Sequence, residues 1–358
     1  MLLAAAVVVR RRELGRAMSQ IRGLSPGWLG VLVALVVAGV VVEGAYAAAI
    51  TPGVSVRRGV AVQQSTTAAN NTVIGSGPIA TGLRIAMLRS WDIPHTSIGL
   101  TIVVLNLVAS YAVWSVSMVA AAVGVSGAAG DVVDRRLFVV VLAVGGIVLT
   151  ASTALWWLLL CRPAATRWVA GRAQRIVTWS RRRLPRLPHL DLAAIAEASR
   201  QDARELAHRH GRRIAAWTVA DQALTLALPI AVVRAFGMSA DQLSAAEILV
   251  AYGLVRLAAA LSPVPGGLGI TEFGLAALLT RLGGPEAKVV AAVLTYRALT
   301  FVLPMATGGA CFVVWRWRNR SAAWQNRSGS DQFVGEDDRI CEPTDWWPPC
   351  SSSRPRAG

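Results

Sequence analysis

Five ionisable residues stand where the chain is otherwise apolar: Arg84, Asp221, Arg256, Glu272 and Arg297. Charge at membrane depth is costly, so such residues mark a functional site by default. A guanidinium there suits a phosphate, which it meets with two parallel N–H donors. Glu272 closes the run Ser262-Pro263-Val264-Pro265-Gly266-Gly267-Leu268-Gly269-Ile270-Thr271-Glu272. Its glycines Gly266, Gly267 and Gly269 let a backbone approach a headgroup closely. A helix resuming at about Ile270 would turn free N–H groups and a positive dipole end toward an anion. The same logic holds where the chain restarts after Pro78. Arg297 is the candidate phosphate clamp and Glu272 its holder. A buried pair that only stabilises the fold fits the same residues, and the two roles are compatible. Arg84 and Arg256 fit either a headgroup site or snorkelling to the interface. Asp221 with Gln222 reads as a helix–helix hydrogen-bonding pair or as a proton-coupling carboxylate. Glu43 and Glu247 are weaker candidates, being nearer predicted helix ends.

The elements that must position these residues follow from composition. The chain has 358 residues, 54% hydrophobic, with a mean hydropathy of +0.50. Charged residues are 16%, against about a quarter in a typical soluble domain. The net charge is nevertheless +16, from 36 Lys+Arg and 20 Asp+Glu, and Lys288 is the one lysine. These values exclude a soluble globular protein, a disordered chain and a disulfide-stapled secreted domain. A polytopic membrane protein remains. Cys161 and Cys311 lie in predicted spans, and Cys341 and Cys350 in the polar tail. Walker loops, HExxH, nucleophile elbows and metal-ligand spacings are missing from the sequence. The expectation is therefore no enzyme, no metal and no cofactor, with any transport downhill, ion-coupled or driven by a partner.

Apolar runs of about 20 residues span a bilayer as helices. Trp28–Ile50, Ser97–Gly124, Leu137–Cys161 and Ala287–Trp315 meet this, and Ile214–Gly237 does so despite Asp221, Pro229 and Arg234. Met1–Val9 is apolar but too short, and Arg10-Arg11-Arg12 follows it. It reads as the end of a helix whose beginning is truncated, not as a signal peptide. Gly59–Pro94 and Ala245–Pro285 are apolar but broken by Gly/Pro-rich segments. Each predicts a re-entrant helix pair; a kinked span plus a surface helix is the alternative. The expected fold is an all-α polytopic membrane protein of about six to eight membrane segments, two of them broken pairs.

The order span, broken region, span occurs twice, in 28–124 and 214–315. At an offset of 191 residues Val73 falls on Val264, Gly75 on Gly266 and Pro94 on Pro285. A re-entrant pair returns to its own side, and one extra span separates the halves, so the second repeat is expected to be inverted. Residues 162–213 carry 13 Arg and four acids, net +9, which places them in the cytoplasm with the C-terminal tail. Segment 10–27, with five Arg and Glu13, then falls outside. Either it violates the charge rule, or Gly59–Pro94 crosses the membrane after all. The basic stretch, with Trp168, Val169, Ile176 and Trp179 among its arginines, reads as two surface helices on anionic headgroups. Nucleic acid is not expected as a partner, and His189, His208 and His210 read as solvated.

The Pro265–Glu272 turn, the Tyr296-Arg297 pair about 25 residues on, and Pro304 in the same helix resemble the membrane domain of the lysylphosphatidylglycerol synthase family. This is also called the flippase-like domain family. Asn70-Asn71, Gly77-Pro78 and Arg84 are similar to its N-terminal half. The resemblance covers about residues 1–318 as a flippase-like transmembrane domain, and leaves 319–358 as a disordered polar tail. It implies translocation of an anionic phospholipid or lipid-linked precursor across the cell membrane, without the cytosolic synthase domain of bifunctional members. Asn71, Arg84, Arg256, Gly266, Gly267, Gly269, Glu272, Tyr296 and Arg297 are the residues expected to bind the headgroup. A non-transporting scaffold of an envelope lipid or glycan pathway is the competing expectation, and a membrane-embedded transferase using Glu272 or Asp221 a third. A protein partner could dock on the basic loop or on the tail, where Trp346-Trp347-Pro348-Pro349 stands.

Overall fold

A computed structural model describes residues 23–72, 77–128, 134–162, 171–172, 192–262 and 264–330. All regular elements among them are helical. They are α1 (Pro26–Ile50), α2 (Val56–Thr72), α3 (Gly77–Arg89), α4 (His95–Val123), α5 (Arg135–Cys161), α6 (Leu192–Ala235), α7 (Ala245–Leu261), α8 (Ile270–Arg281), α9 (Glu286–Arg297) and α10 (Leu303–Ser330). A π-helical turn, Gly124–Ala128, follows α4; a 3-10 turn, Pro265–Gly267, precedes α8; a second π-turn, Ala298–Val302, joins α9 to α10. Among the described residues, five helical stretches are long and apolar enough to cross a membrane: Pro26–Ile50, Ser97–Gly127, Arg135–Ala154, His208–Ala235 and Glu286–Asn319. They coincide with the five spans read from the sequence. The chain forms two compact units, Met1–Trp315 and Arg316–Gly358.

Local chemistry starts and stops these helices. The Ser25 hydroxyl accepts from Trp28 N–H, and Pro26 fills the first turn of α1, where its missing N–H costs nothing. Leu29, Val31, Val33, Val37 and Val41 remain exposed on α1, as a lipid-facing stripe does. Ser244 and Glu247 close a capping box on α7. Glu247 is thus a helix cap.

The polar helix α2 is enclosed by its neighbours. Gln64, Ser65 and Thr66 are buried at 3%, 2% and 1% exposure, and each finds a partner inside the bundle. Thr66 Oγ1 donates to Val62 O, Ser65 Oγ to Gly308 O, and Gln64 Nε2 to Glu43. Close helix crossing makes this enclosure feasible. A Cβ on Gly59 would lie 3.2 Å from the Gly44 carbonyl carbon, so only glycine lets α1 and α2 approach so far.

Both broken regions double back. α2 and α3 pack along each other, and Arg58 near the start of α2 stacks on Trp91 just past the end of α3. Val54, Val62, Met87, Leu88, Ile93 and Ile98 form one cluster across this mouth. The alternative of a kinked span plus a surface helix is therefore excluded, and so is a crossing by Gly59–Pro94. α7 and α8 repeat the arrangement, with Leu243, Leu279 and Val289 packed at the second mouth.

Contacts fix which end of the bundle each mouth occupies. Thr51 bonds Thr101, and Trp315 Nε1 donates to Ser90 Oγ. Ala203 and Leu206 pack with Ile50 and Leu100. The first mouth thus shares an end with the start of α4, the N-terminal half of α6 and Trp315. At the other end, Phe138 of α5 packs on Ala121 and on Val250 of α7. Arg234 donates to the carbonyls of Met238, Ser239 and Leu243, and Lys288 to Gly237. The two hairpins enter from opposite ends, the inversion expected from parity.

One expectation is corrected. The basic stretch 162–213 was expected to form two surface helices separate from the span, but its residues 192–213 belong to α6, which runs unbroken for 44 residues, about 66 Å. Ala203 and Leu206 bury one face of its polar half, so packing continues the helix past the end of the apolar span. His208 and His210 are exposed on it. Residues 10–22, Trp168, Ile176, Trp179, His189 and the tail after Ser330 lie outside the described residues. Cysteines at the exposed positions Ser126 and Asp241 should react with impermeant maleimide from one face of the membrane, and a cysteine at Arg57 from the other. Labelling of all three from one face would contradict the inverted arrangement.

Candidate functional site

The two hairpin tips meet. A Cβ built on Gly266 would lie 3.2 Å from Asn71 Oδ1, at the inner end of α2, and would strike the Phe301 ring. Gly266 also sits at φ +61°, where a side chain is strained. Around this junction lies a cavity of about 220 Å³. Asn71 enters it from the first hairpin and Gly266 and Thr271 from the second. Helix α7 lines it with Tyr252, Val255, Arg256 and Ala259, and the α9–α10 rod with Tyr296, Arg297, Thr300 and Phe301.

Glu272 organises the second tip. Its Oε2 accepts from Gly269 N–H at 2.6 Å, and its Oε1 accepts from Arg297 Nε at 2.5 Å. One carboxylate thus caps α8 and anchors a side chain from a helix 25 residues away. Arg297 Nη2 donates to Gly266 O at 3.1 Å, and its guanidinium lies 4.7 Å from the Phe301 ring centroid. The Pro-Gly-Gly turn, the glutamate and the Tyr-Arg pair are therefore one hydrogen-bonded unit. Pro304 supplies a further piece. It has no N–H to return to Thr300 O, and the rod widens into the π-turn, where Leu303 N–H bonds Ala298 O. That turn carries Thr300 and Phe301 into the cavity wall, and π-turns recur at functional sites.

Arg256 is the second cation of the wall. Its Nη1 donates to Tyr252 Oη at 2.6 Å, while its buried Nε makes no hydrogen bond. Tyr252 and Tyr296 meet edge to face at 5.9 Å. Asp221 of α6 lies within electrostatic reach of Arg256.

Five of the nine expected binding residues, Asn71, Arg256, Gly266, Tyr296 and Arg297, line the cavity. The other four do not. Gly267 is a packing residue at φ +61°, where a Cβ would strike Ala259. Gly269 and Glu272 stand behind Arg297 as cap and holder. The N-terminus of α8, expected to face an anion, is taken by Glu272. Arg84 is bound to Gln63 Oε1 and Thr66 Oγ1 on α2, away from the cavity. Tyr252, Thr300 and Phe301 were missed, because an aromatic or hydroxyl residue in an apolar helix carries no sequence signal of what it faces.

The family model for the lysylphosphatidylglycerol synthase TM region matches residues 1–308. The chain belongs to this family, and is a multi-pass membrane protein of the kind found in lipid or envelope pathways. No curated protein matches the chain, and no solved structure does.

Breaking the Glu272–Arg297 pair from one side strands the other charge, at a cost of about 3 kcal/mol. Glu272→Gln and Arg297→Gln should each lower thermal stability in detergent by about that much, and the double variant by less than the sum. Strict additivity would show that the two side chains are not coupled.

Proposed function

We propose that this membrane protein moves an anionic phospholipid or lipid-linked precursor between leaflets, its headgroup passing through the cavity where the hairpin tips meet. The observation that carries this reading is that Arg256 and Arg297, from two different helices, both line this one cavity, with a buried N–H of Arg256 unspent. A buried donor without an acceptor is costly, and a phosphate oxygen is its natural complement. Phe301, Tyr252 and Thr300 give the remaining wall a mixed apolar and hydroxyl lining, suited to a headgroup that arrives attached to acyl chains. The cavity is far smaller than two acyl chains, which would stay in the bilayer while the headgroup crosses.

The inverted hairpins support alternating access: either tip can withdraw and open the cavity toward its own mouth. The basic N-terminal half of α6, which shares its end of the bundle with the first mouth and Trp315, points that end to the cytoplasm of the cell. Expected partners are the anionic lipid, the bilayer and a protein met through the basic stretch or the tail.

The test is translocation of fluorescent phosphatidylglycerol in phosphatidylcholine proteoliposomes, read by quenching of the outer leaflet. Losing a charge-assisted hydrogen bond costs about 1.5–3 kcal/mol, so Arg297→Ala and Arg256→Ala should each slow transfer about 10- to 100-fold. Arg57→Ala, exposed at the first mouth, should match the unmodified chain. Fluorescent phosphatidylcholine and a polyprenyl phosphate run beside it separate general scrambling and lipid-linked precursors from phospholipid transfer. No transfer of any anionic lipid would favour the scaffold role, and transfer undiminished by either substitution would move the headgroup path elsewhere.

A further inference from the structure

Charge in the headgroup cavity is one-sided. Two cations line it, Arg256 and Arg297, and among the described residues no carboxylate does. Asn71, Thr271 and Thr300 bring its uncharged polar groups, beside Tyr252 and Tyr296. Residues 73–76 and Pro263, which adjoin the tips in sequence, contain no Asp or Glu. Arg297 is balanced by Glu272. Arg256 spends Nη1 on a neutral hydroxyl, Tyr252 Oη, and leaves its buried Nε unspent. The lining thus holds a cation in excess, which matches the single negative charge of a phosphodiester.

An ammonium group taken out of water needs a carboxylate, a carbonyl oxygen or an aromatic face to receive it. At this junction the arginines already hold all three kinds. Glu272 gives one oxygen to Gly269 N–H and the other to Arg297. Gly266 O accepts from Arg297 Nη2 at 3.1 Å. The Phe301 ring carries the Arg297 guanidinium 4.7 Å from its centroid, and the Tyr252 ring carries that of Arg256 at 5.8 Å. A second cation on either ring would be repelled by the first. Asp221 accepts from Gln222 and is not among the residues that line the cavity.

We propose that the cavity selects lipids whose headgroup joins a phosphate to uncharged, hydroxyl-bearing groups, and turns away headgroups that also carry an ammonium. Attraction and exclusion have the same source. The guanidinium donors that receive the phosphate occupy every group that would receive the amine. Asn71, Thr271 and Thr300 remain for the hydroxyls, which can donate to or accept from such side chains. Asn71 is the specificity-determining position. It comes from the first hairpin, stands against Gly266 of the second, and is the amide among the described lining residues. Asn71→Asp keeps the side chain's shape and supplies the carboxylate that the lining lacks. That carboxylate would receive an ammonium, and it would also compete with phosphate for the arginines.

This inference rests on the headgroup reading, and the experiment separates the two. Transfer by the full chain in phosphatidylcholine proteoliposomes is measured for three lipids labelled on an acyl chain: phosphatidylglycerol, its lysyl ester and phosphatidylethanolamine. All three share the phosphodiester, and the last two add ammonium groups. Phosphatidylglycerol should move at least about 10-fold faster than either of the others. In Asn71→Asp the ratio should shift by about 10-fold toward the lysyl ester, with phosphatidylglycerol slowed. A labelled polyprenyl phosphate, which has no amine, is the arm that tells a lipid-linked precursor from a phospholipid. Equal rates for the three lipids, faster transfer of the lysyl ester, or a preference unmoved by Asn71→Asp overturns the selection. The Arg256→Ala and Arg297→Ala variants then report on the headgroup reading separately. No transfer of any lipid overturns the headgroup reading and the selection with it. Should Asn71→Asp fail to fold, Thr300→Asp places a carboxylate on the same lining and carries the same test.

Discussion

A helix that stops inside a bilayer leaves backbone groups that water cannot reach, and the protein itself must satisfy them. This chain stops twice at depth, after α2 and after α7, and brings the two stops together. At the second, a single carboxylate resolves much of the difficulty. Glu272 takes the Gly269 N–H with one oxygen and the Arg297 guanidinium with the other, while Arg297 takes the Gly266 carbonyl in turn. The broken backbone and the buried cation are solutions to each other. Glycine is required at Gly266 because Phe301 and Asn71 approach it so closely, and that approach closes the cavity.

The spans were legible because an apolar run of bilayer length has few other uses. The hairpins were legible from Gly and Pro at their breaks, and their opposed entry from counting the spans between them. The continuity of α6 was not legible. Arginines and histidines through residues 200–213 look like a solvated surface helix, and only the packing of Ala203 and Leu206 shows one rod.

Within the site, the Arg297–Glu272 unit could be read from spacing, as could Arg256 from its depth. The roles within the glycine run could not. Gly266 borders the cavity, Gly267 packs against Ala259 and Gly269 serves as a cap, though all three have the same sequence appearance. Glu43 was ranked low for lying near a helix end. Helix α2, folded inward against α1, makes that position part of the polar interior, and no local pattern announces such a partner. Ser65 Oγ bonding to Gly308 O, 243 residues on, is long-range in the same way.

The central claim is that an anionic headgroup occupies the junction of the two tips. Its most direct test is an electron cryomicroscopy map of the chain in nanodiscs rich in phosphatidylglycerol. The account predicts phosphate density within hydrogen-bonding distance of both Arg256 and Arg297, with the acyl chains leading outward into the bilayer. A map with lipid density confined to the outer faces of the bundle, and side-chain density from Phe301 or Arg297 filling the junction, would contradict it.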